Sequence, residues 1–153
     1  MKKYYALILG ASSGFGKAIA LALAKDGVNI IGVHLDRSTT MPDVEKLISD
    51  IKAAGSEAHF FNANAADEKN RAEIMQKIEK LLSETDGATV KVLVHSLAFG
   101  TLKPFISDDP ADQVNQKQIE MTLNVMANSL IFWTQDIINN KLMVRGGKIY
   151  AMT

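Results

Sequence analysis

Three glycines mark the stretch of this sequence that could bind a phosphate group. Gly10, Gly14 and Gly16 lie in "LGASSGFGKAIA", where the apolar run 4–9 passes into a segment of helical periodicity. Glycine lets another group approach the backbone closely, and the backbone amides at the start of a helix attract anions. The stretch therefore predicts a phosphate-binding turn between a first strand and a first helix.

The spacing of these glycines excludes two common nucleotide motifs. A P-loop needs a glycine five residues before the Gly16-Lys17 pair and Ser or Thr after it, but the chain has Ala11 and Ala18 there. The common dinucleotide fingerprint needs a third glycine three residues after Gly16, where the chain has Ile19. The pattern that is left is G-x-x-x-G-x-G.

The composition favours a small molecule as the partner and argues against nucleic acid or a membrane. The 153 residues, 47% of them hydrophobic, can bury one core, so a single domain over 1–153 is expected. Lys plus Arg equals Asp plus Glu at 17 each, with no basic block. No run approaches the about 20 apolar residues of a membrane span, and 4–9 is short for a signal peptide. The expected location is the cytoplasm. Cysteine is absent and the three histidines have no clustered acidic partners, so no metal site is expected.

Strand and helix patterns alternate along the whole chain. Alternation of this kind predicts an α/β fold: a Rossmann-like, doubly wound parallel sheet of five strands with helices on both faces. The last apolar run is predicted to be a strand that lies at an open sheet edge unless a partner or further chain covers it. The apolar face of the last helix is predicted to pack in the core or to form a homo-oligomer. The expected strands are 4–9, 28–35, 57–65, 90–98 and 149–152, and the expected helices are 15–26, 41–54, 66–83 and 113–139.

In this order of motifs the chain resembles the short-chain dehydrogenase/reductase family. The glycine turn resembles the family's first motif, "FNANAADE" its adenine-binding segment, "LVHSLAFG" its Asn-Asn-Ala-Gly segment, and "MTLNVMANSLIF" its helix with an inward asparagine. The resemblance implies an NAD(P)-dependent oxidoreductase with a small-molecule substrate, and it implies Asn124 as a catalytic residue. The cofactor-binding residues that it implies are Gly10, Ser12, Ser13, Gly14, Phe15, Gly16, Arg37, Ser38, Asn64, Ala65, Ser96, Leu97 and Ala98.

Two departures from the family leave the reaction open. Leu9 stands where the family usually has threonine, and residues 95–98 replace the Asn-Asn-Ala-Gly segment. "VHSLAFG" is similar to the stretch in enoyl-thioester reductases, whereas the glycine motif and Asn124 are similar to those of carbonyl and alcohol enzymes. Hydride transfer to an enoyl thioester and to a carbonyl are therefore both kept as hypotheses.

The stretch "VHLDRST" after the second strand bears on the choice of cofactor. Asp36 could accept a hydrogen bond from a ribose 2′-hydroxyl, which favours NAD(H). Arg37, aided by Ser38, could pair with a 2′-phosphate, which favours NADP(H). Counting from Gly27 places His34 where NAD-using relatives have their acid. Asp36 is therefore expected to point away from the site, and NADP(H) is favoured, with NAD(H) as the alternative.

The resemblance also implies that this chain carries the cofactor half of the family and stops after its fifth strand. In the family, a serine ends that strand, and a tyrosine and a lysine four residues apart follow on the next helix and move the proton. None of Tyr4, Tyr5 and Tyr150 has a lysine four positions on. We expect that the 153-residue chain alone does not complete hydride transfer. The alternative is a non-catalytic dinucleotide-binding module, and the reading frame beyond Thr153 would distinguish the two.

Overall fold

Five parallel strands form one sheet in the order β3-β2-β1-β4-β5. The computed structural model describes residues 3–152. The chain runs outward from β1 to β3 on one side of the sheet and then crosses to β4 and β5 on the other. In open α/β sheets a crevice lies at the carboxyl ends of the strands where the order reverses in this way. The strands are β1 (Tyr4–Leu9), β2 (Asn29–His34), β3 (Ala58–Asn62), β4 (Thr89–His95) and β5 (Lys148–Ala151).

Helices connect the strands and cover both faces of the sheet, as the sequence predicts. They are α1 (Gly14–Lys25), α2 (Met41–Ala53), α3 (Glu68–Ser83), α4 (Gln116–Leu123) and α5 (Ser129–Asn139). A π segment, Asn124–Asn128, joins α4 to α5, and we call residues 116–139 together the helical unit. Within residues 3–152, no helix has both the length and the apolar character that a membrane crossing requires.

Two helix starts differ from the prediction by two or more residues, and a capping residue explains each. The expected helix 113–139 begins at Gln116 because Asn115 and Gln118 form a reciprocal capping box. The expected helix 66–83 begins at Glu68 because the Asp67 carboxylate accepts a hydrogen bond from the Asn70 amide at 2.8 Å. In both cases the local hydrogen bond decides where the helix starts.

The core lies in two apolar layers on either side of β1. From Tyr5 to Leu9 this strand is fully buried. On one face its side chains pack with α3 and α5, and on the other with α1 and α2. The first layer includes Leu7, Ile78, Trp133 and Ile137, and the second includes Ile8, Ala20, Leu47 and Ile51.

The last strand is at an edge of the sheet. β5 pairs with β4 alone, and all four of its residues are exposed, so the prediction of a strand at an open sheet edge is confirmed. No element within residues 3–152 covers its outer side. The outward face of the helical unit also exposes Ile119, Leu123 and Met126. The subunit contact expected there stays a prediction.

A charged cluster joins the amino ends of β1 and β3. The Tyr5 hydroxyl donates a hydrogen bond to Glu57 Oε2 at 2.6 Å, and Lys3 Nζ contacts Glu57 Oε1. His59 Nε2 lies 3.3 Å from Glu57 Oε2. Hydrogen bonds from Lys3 and then from Tyr5 lower the pKa of Glu57 from 4.5 to about 2. Burial, together with the Glu57 carboxylate, raises the pKa of Tyr5.

This cluster predicts a defined acid dependence of stability. The pKa of Glu57 is lower in the folded than in the unfolded chain, so its contribution is present above about pH 5 and is lost as the pH falls toward about 2. Glu57→Gln should remove that part of the acid dependence. The loss near neutral pH should be about 1 kcal/mol or less, because the Glu57 side chain is 39% exposed and solvent screens it.

Urea unfolding of the Glu57→Gln chain over a series of pH values measures this effect. Glu45→Gln is the matched control, since Glu45 is exposed on α2. The same pH dependence in Glu57→Gln and unsubstituted chains would show that the cluster does not contribute to acid stability.

Candidate functional site

A cleft of about 800 Å³ opens at the carboxyl ends of β1, β2 and β4, where the strand order reverses. The helical unit and four segments surround it, and these segments lie at or after the carboxyl ends of β1, β2, β3 and β4. Eleven of the thirteen predicted cofactor-binding residues line the cleft: Gly10, Ser12, Ser13, Gly14, Phe15, Arg37, Asn64, Ala65, Ser96, Leu97 and Ala98. Gly16 and Ser38 do not. The remaining lining residues are Val33, His34, Leu35, Asp36, Ala63, Phe99, Met121 and Val125.

The glycine turn is built on two close backbone contacts. Gly10 has φ +83°, and a Cβ atom there would overlap the carbonyl oxygen of Ser96. A Cβ atom at Gly16 would overlap the carbonyl oxygen of Gly10. Gly16 is therefore buried beneath the turn, which explains why it does not line the cleft. These two glycines let the start of α1 and the end of β4 approach the end of β1.

Gly14 differs from the other two because it faces open space. Its φ is +53°, and a Cβ atom there would meet no other atom within 4 Å. It begins α1, and the preceding Ser13 makes no side-chain capping hydrogen bond within residues 3–152. The first amides of a helix have no partners inside the helix and attract anions. The start of α1 therefore presents a backbone surface suited to a phosphate group.

At the end of β2, a carboxylate folds back into the cleft. Asp36 accepts a hydrogen bond from Thr40 Oγ1 at 2.8 Å and lies 2.9 Å from His34 Nδ1. Burial alone would raise the pKa of Asp36, but the Ser12, Thr40 and His34 side chains together lower it. The carboxylate is therefore ionised at neutral pH.

The expectation that Asp36 points away from the site is wrong. Its side chain is 15% exposed and lines the cleft. The physical reason lies on the next strand. The Asn62 side chain accepts a hydrogen bond from the Asp36 amide and donates one to the Asp36 carbonyl oxygen, both at 3.0 Å. This pairing fixes the backbone after β2 in the orientation that directs the carboxylate inward.

Arg37 is the cationic residue among those that line the cleft. It is exposed, and within residues 3–152 its side chain forms no ion pair. Ser38 is also exposed but lies outside the cleft lining. A ligand in the cleft would therefore meet one fixed negative charge, on Asp36, and one unpaired positive charge, on Arg37.

The loop after β3 is fastened to the helical unit by two hydrogen bonds. Trp133 Nε1 donates to the carbonyl oxygen of Ala65 at 2.8 Å, and Asn124 Nδ2 donates to that of Ala66 at 3.4 Å. Asn124, the residue expected to be catalytic, lies outside the cleft lining, and Met121 and Val125 line it instead. In this structure the Asn124 side chain holds the loop after β3, and its predicted catalytic role stays untested.

The residues that the sequence did not single out are mostly apolar. Val33, Ala63 and Phe99 lie at or just beyond predicted strands, so the rule that ligands bind at the carboxyl ends of strands could have identified them. Met121 and Val125 carried no such signal. Which side of the helical unit meets the cleft depends on how that unit packs against the sheet.

Comparison with known proteins gives a consistent result. A sequence model of the family described as short chain dehydrogenase matches residues 4–153. The 2,3-dihydro-2,3-dihydroxybenzoate dehydrogenase of Bacillus subtilis is 33% identical over 147 residues, 96% of this chain and 51% of that protein. The 3-oxoacyl-(acyl-carrier-protein) reductase FabG of Staphylococcus epidermidis is 26% identical over 148 residues, 97% of this chain and 55% of that protein.

A similar fold is found among solved structures. A blue fluorescent protein from a metagenomic library, solved in complex with NADPH, is 25% identical with a TM-score of 0.75. The match covers 97% of this chain and 54% of that chain. The chain spans about half the length of the curated relatives it matches.

The two kinds of glycine in the turn predict different main effects for the same substitution, on stability at Gly16 and on ligand binding at Gly14. Gly16→Ala should destabilise the fold by about 1–3 kcal/mol or more, because its Cβ atom meets backbone that cannot move freely. Gly14→Ala should cost only about 1–2 kcal/mol, for its left-handed conformation, and should weaken binding of a dinucleotide by blocking the approach to the α1 amides. Urea unfolding and NADPH titration of both variants measure the two effects. Unchanged NADPH binding by a folded Gly14→Ala chain would contradict a phosphate site there.

Proposed function

The chain belongs to the short-chain dehydrogenase family, and we propose on that premise that the protein is an NAD(P)-dependent oxidoreductase whose cofactor occupies the cleft. The observation that carries the proposal is Gly14, which has a positive φ, begins α1 and faces open space in the cleft lining. A bound nicotinamide cofactor would supply or accept a hydride.

The residues of the cleft fit a dinucleotide by their chemistry. Residues 12–15 offer helix-terminal amides for the pyrophosphate. Asp36 and Arg37 offer an acceptor and a cation for the adenosine ribose or its phosphate. Asn64 and Ala65 line the cleft where the family resemblance implies the adenine. The lining therefore combines polar and charged groups with apolar residues.

We propose carbonyl–alcohol interconversion as the reaction, with enoyl-thioester reduction as the second candidate. The names of the two curated relatives, a dehydrogenase and a 3-oxoacyl reductase, support the first. The stretch "VHSLAFG" supports the second, and four of its residues line the cleft wall after β4: Ser96, Leu97, Ala98 and Phe99. The apolar lining is compatible with either substrate, provided that the substrate has an apolar portion.

The acid-base residues that the family resemblance implies are not among the described cleft residues. Within residues 3–152, the lining contains neither tyrosine nor lysine. The family resemblance implies that a serine, a tyrosine and a lysine further along the chain would polarise the substrate and transfer the proton. Cofactor binding by residues 3–152 requires none of these three residues, so their absence from the lining is consistent with a cofactor-binding role for the present chain. The same observation supports the alternative of a non-catalytic dinucleotide-binding module.

Two proteins decide between these functions: the 153-residue chain and the product of its continuing reading frame. The chain should bind NADPH without turnover, because loss of a positioned acid alone costs about 10²- to 10⁴-fold in rate. The longer product should oxidise NADPH with an acetoacetyl thioester, or with a crotonyl thioester if the second candidate holds. A stop codon after Thr153 would favour the module. Failure of the chain to bind either NADPH or NADH would overturn the proposed site.

We also propose that NADP(H) is preferred to NAD(H). Arg37 is exposed and unpaired within residues 3–152, so it is available to a 2′-phosphate. Both oxygens of the Asp36 carboxylate already have partners, Thr40 on one and His34 on the other, so fewer acceptor sites are left for a ribose hydroxyl. The negative charge of Asp36 opposes the preference. Two substitutions separate these contributions.

Arg37→Ala should lower NADPH affinity about ten- to a hundredfold and change NADH affinity little, because it removes a charge-assisted contact of about 1.5–3 kcal/mol. Asp36→Asn should raise NADPH affinity by removing the repulsion. Calorimetric titration of both cofactors measures these changes, with Arg145→Ala as the control for loss of an exposed arginine outside the cleft lining. Equal losses for the two cofactors in Arg37→Ala, or tighter NADH binding by the unsubstituted chain, would rule out the preference.

A further inference from the structure

A buried polar pair lies behind the cleft wall, and the proposed function does not use it. His95 ends β4 and Ser129 begins α5, and they are only 2% and 1% exposed. His95 Nε2 is 2.8 Å from Ser129 Oγ, and Ser129 Oγ donates a hydrogen bond to the carbonyl oxygen of Val125 at 2.7 Å. The surrounding layer is apolar and includes Leu93, Trp133 and Ile137.

The hydrogen bonds of this pair have a defined direction. A serine hydroxyl has a single hydrogen to donate, and Ser129 donates it to Val125. Ser129 must therefore accept from His95, which assigns a hydrogen to His95 Nε2. Burial lowers the pKa of His95, in agreement with a neutral imidazole that donates through this nitrogen. The result is a chain of two hydrogen bonds from the end of β4 to the backbone of the helical unit.

This chain of hydrogen bonds ends inside the π segment. The segment Asn124–Asn128 interrupts an otherwise α-helical unit, and π turns of this kind are rare and are often found at functional sites. The carbonyl oxygen that receives the bond belongs to Val125, whose own residue lines the cleft. Met121, one turn earlier, lines it too. The backbone conformation at 124–128 thus decides which residues of the helical unit form the cleft wall.

We propose that His95 and Ser129 are positioning residues that hold residues 124–128 in the π conformation and thereby place Val125 and Met121 in the cleft wall. A buried polar pair contributes little net stability compared with apolar groups of the same shape. The pair does contribute to positioning, because a hydrogen bond fixes the position of the Val125 carbonyl and apolar contact does not. The effect on cofactor binding rests on the proposed function, and the effect on the backbone does not.

Three variants of the 153-residue chain test this role. Ser129→Ala removes the hydroxyl that accepts from His95 Nε2. The double variant His95→Leu with Ser129→Ala removes both polar groups. His95→Gln keeps an N–H close to the position of Nε2 and should preserve the hydrogen bond to Ser129. Ser83→Ala is the matched control, since Ser83 Oγ also donates to a helix carbonyl, that of Lys80 at 2.7 Å, but is exposed and does not line the cleft.

Three measurements are made on each variant: amide hydrogen exchange of residues 124–130 without ligand, unfolding free energy in urea, and NADPH affinity. Ser129→Ala and the double variant should both exchange about five- to tenfold faster over 124–130, the change expected for a lost hydrogen bond. The double variant should recover stability relative to Ser129→Ala, yet its NADPH affinity should stay about five- to tenfold low. His95→Gln should behave like the unsubstituted chain in both exchange and affinity.

Two results would overturn the inference. One is unchanged exchange over 124–130 in the double variant, which would show that the pair does not hold the π segment. The other is full recovery of NADPH affinity together with stability in the double variant, which would mean that the pair only supports folding. If Ser129→Ala fails to fold, the double variant and His95→Gln still decide the question. Absence of NADPH binding by the unsubstituted chain would count against the proposed function. The hydrogen-exchange data alone would then test whether His95 and Ser129 hold the π segment.

Discussion

The cleft depends on a contact between two backbones that leaves no room for a side chain. Gly10, at the end of β1, lies so close to the carbonyl oxygen of Ser96 that a Cβ atom would overlap it. Gly16 approaches the Gly10 carbonyl in the same way from α1. These contacts bring the end of β1, the start of α1 and the segment after β4 together at one point. A larger residue at Gly10 or Gly16 would push these elements apart and displace the amides at the start of α1.

Behind this point, buried polar links join the cleft walls to the helical unit. Trp133 holds the loop after β3 through the Ala65 carbonyl, and the His95–Ser129 pair holds the end of β4. Between α3 and α5, Arg71 pairs with Asp136 at 2.8 Å and lies over the Phe132 ring. The same helical unit therefore contacts two loops that line the cleft. Buried hydrogen bonds in a low-dielectric interior are costly to break, so the walls are expected to move together rather than separately.

The charges at the cleft oppose each other within two adjacent residues. Asp36 is held inward by hydrogen bonds and is ionised, whereas Arg37 is exposed and unpaired within the described part of the chain. A phosphate on the ribose would be attracted by Arg37 and repelled by Asp36. The balance depends on distance and solvent, because an exposed charge is screened far more than one held against the protein. The choice of cofactor is thus a small difference between two opposed interactions.

The sequence by itself determined the type and order of the strands and helices, the doubly wound α/β fold and the place of the glycine turn. These follow from local patterns: apolar periodicity, glycine and proline positions, and a motif that lies within twelve residues. The one long helix was correctly expected, but its start depended on the capping box at Asn115, and its periodicity did not indicate the π segment. Most of the predicted cofactor-binding residues line the cleft because they follow directly on strands whose carboxyl ends meet there.

Only the tertiary structure decided the orientation of individual side chains. Asp36 turns inward because Asn62, on the next strand, pairs with its backbone, and Asn124 turns to Ala66, which is 58 residues away in the chain. In each case the deciding partner is distant in sequence. Local propensity fixes what a segment becomes, and contacts between segments fix where its side chains point.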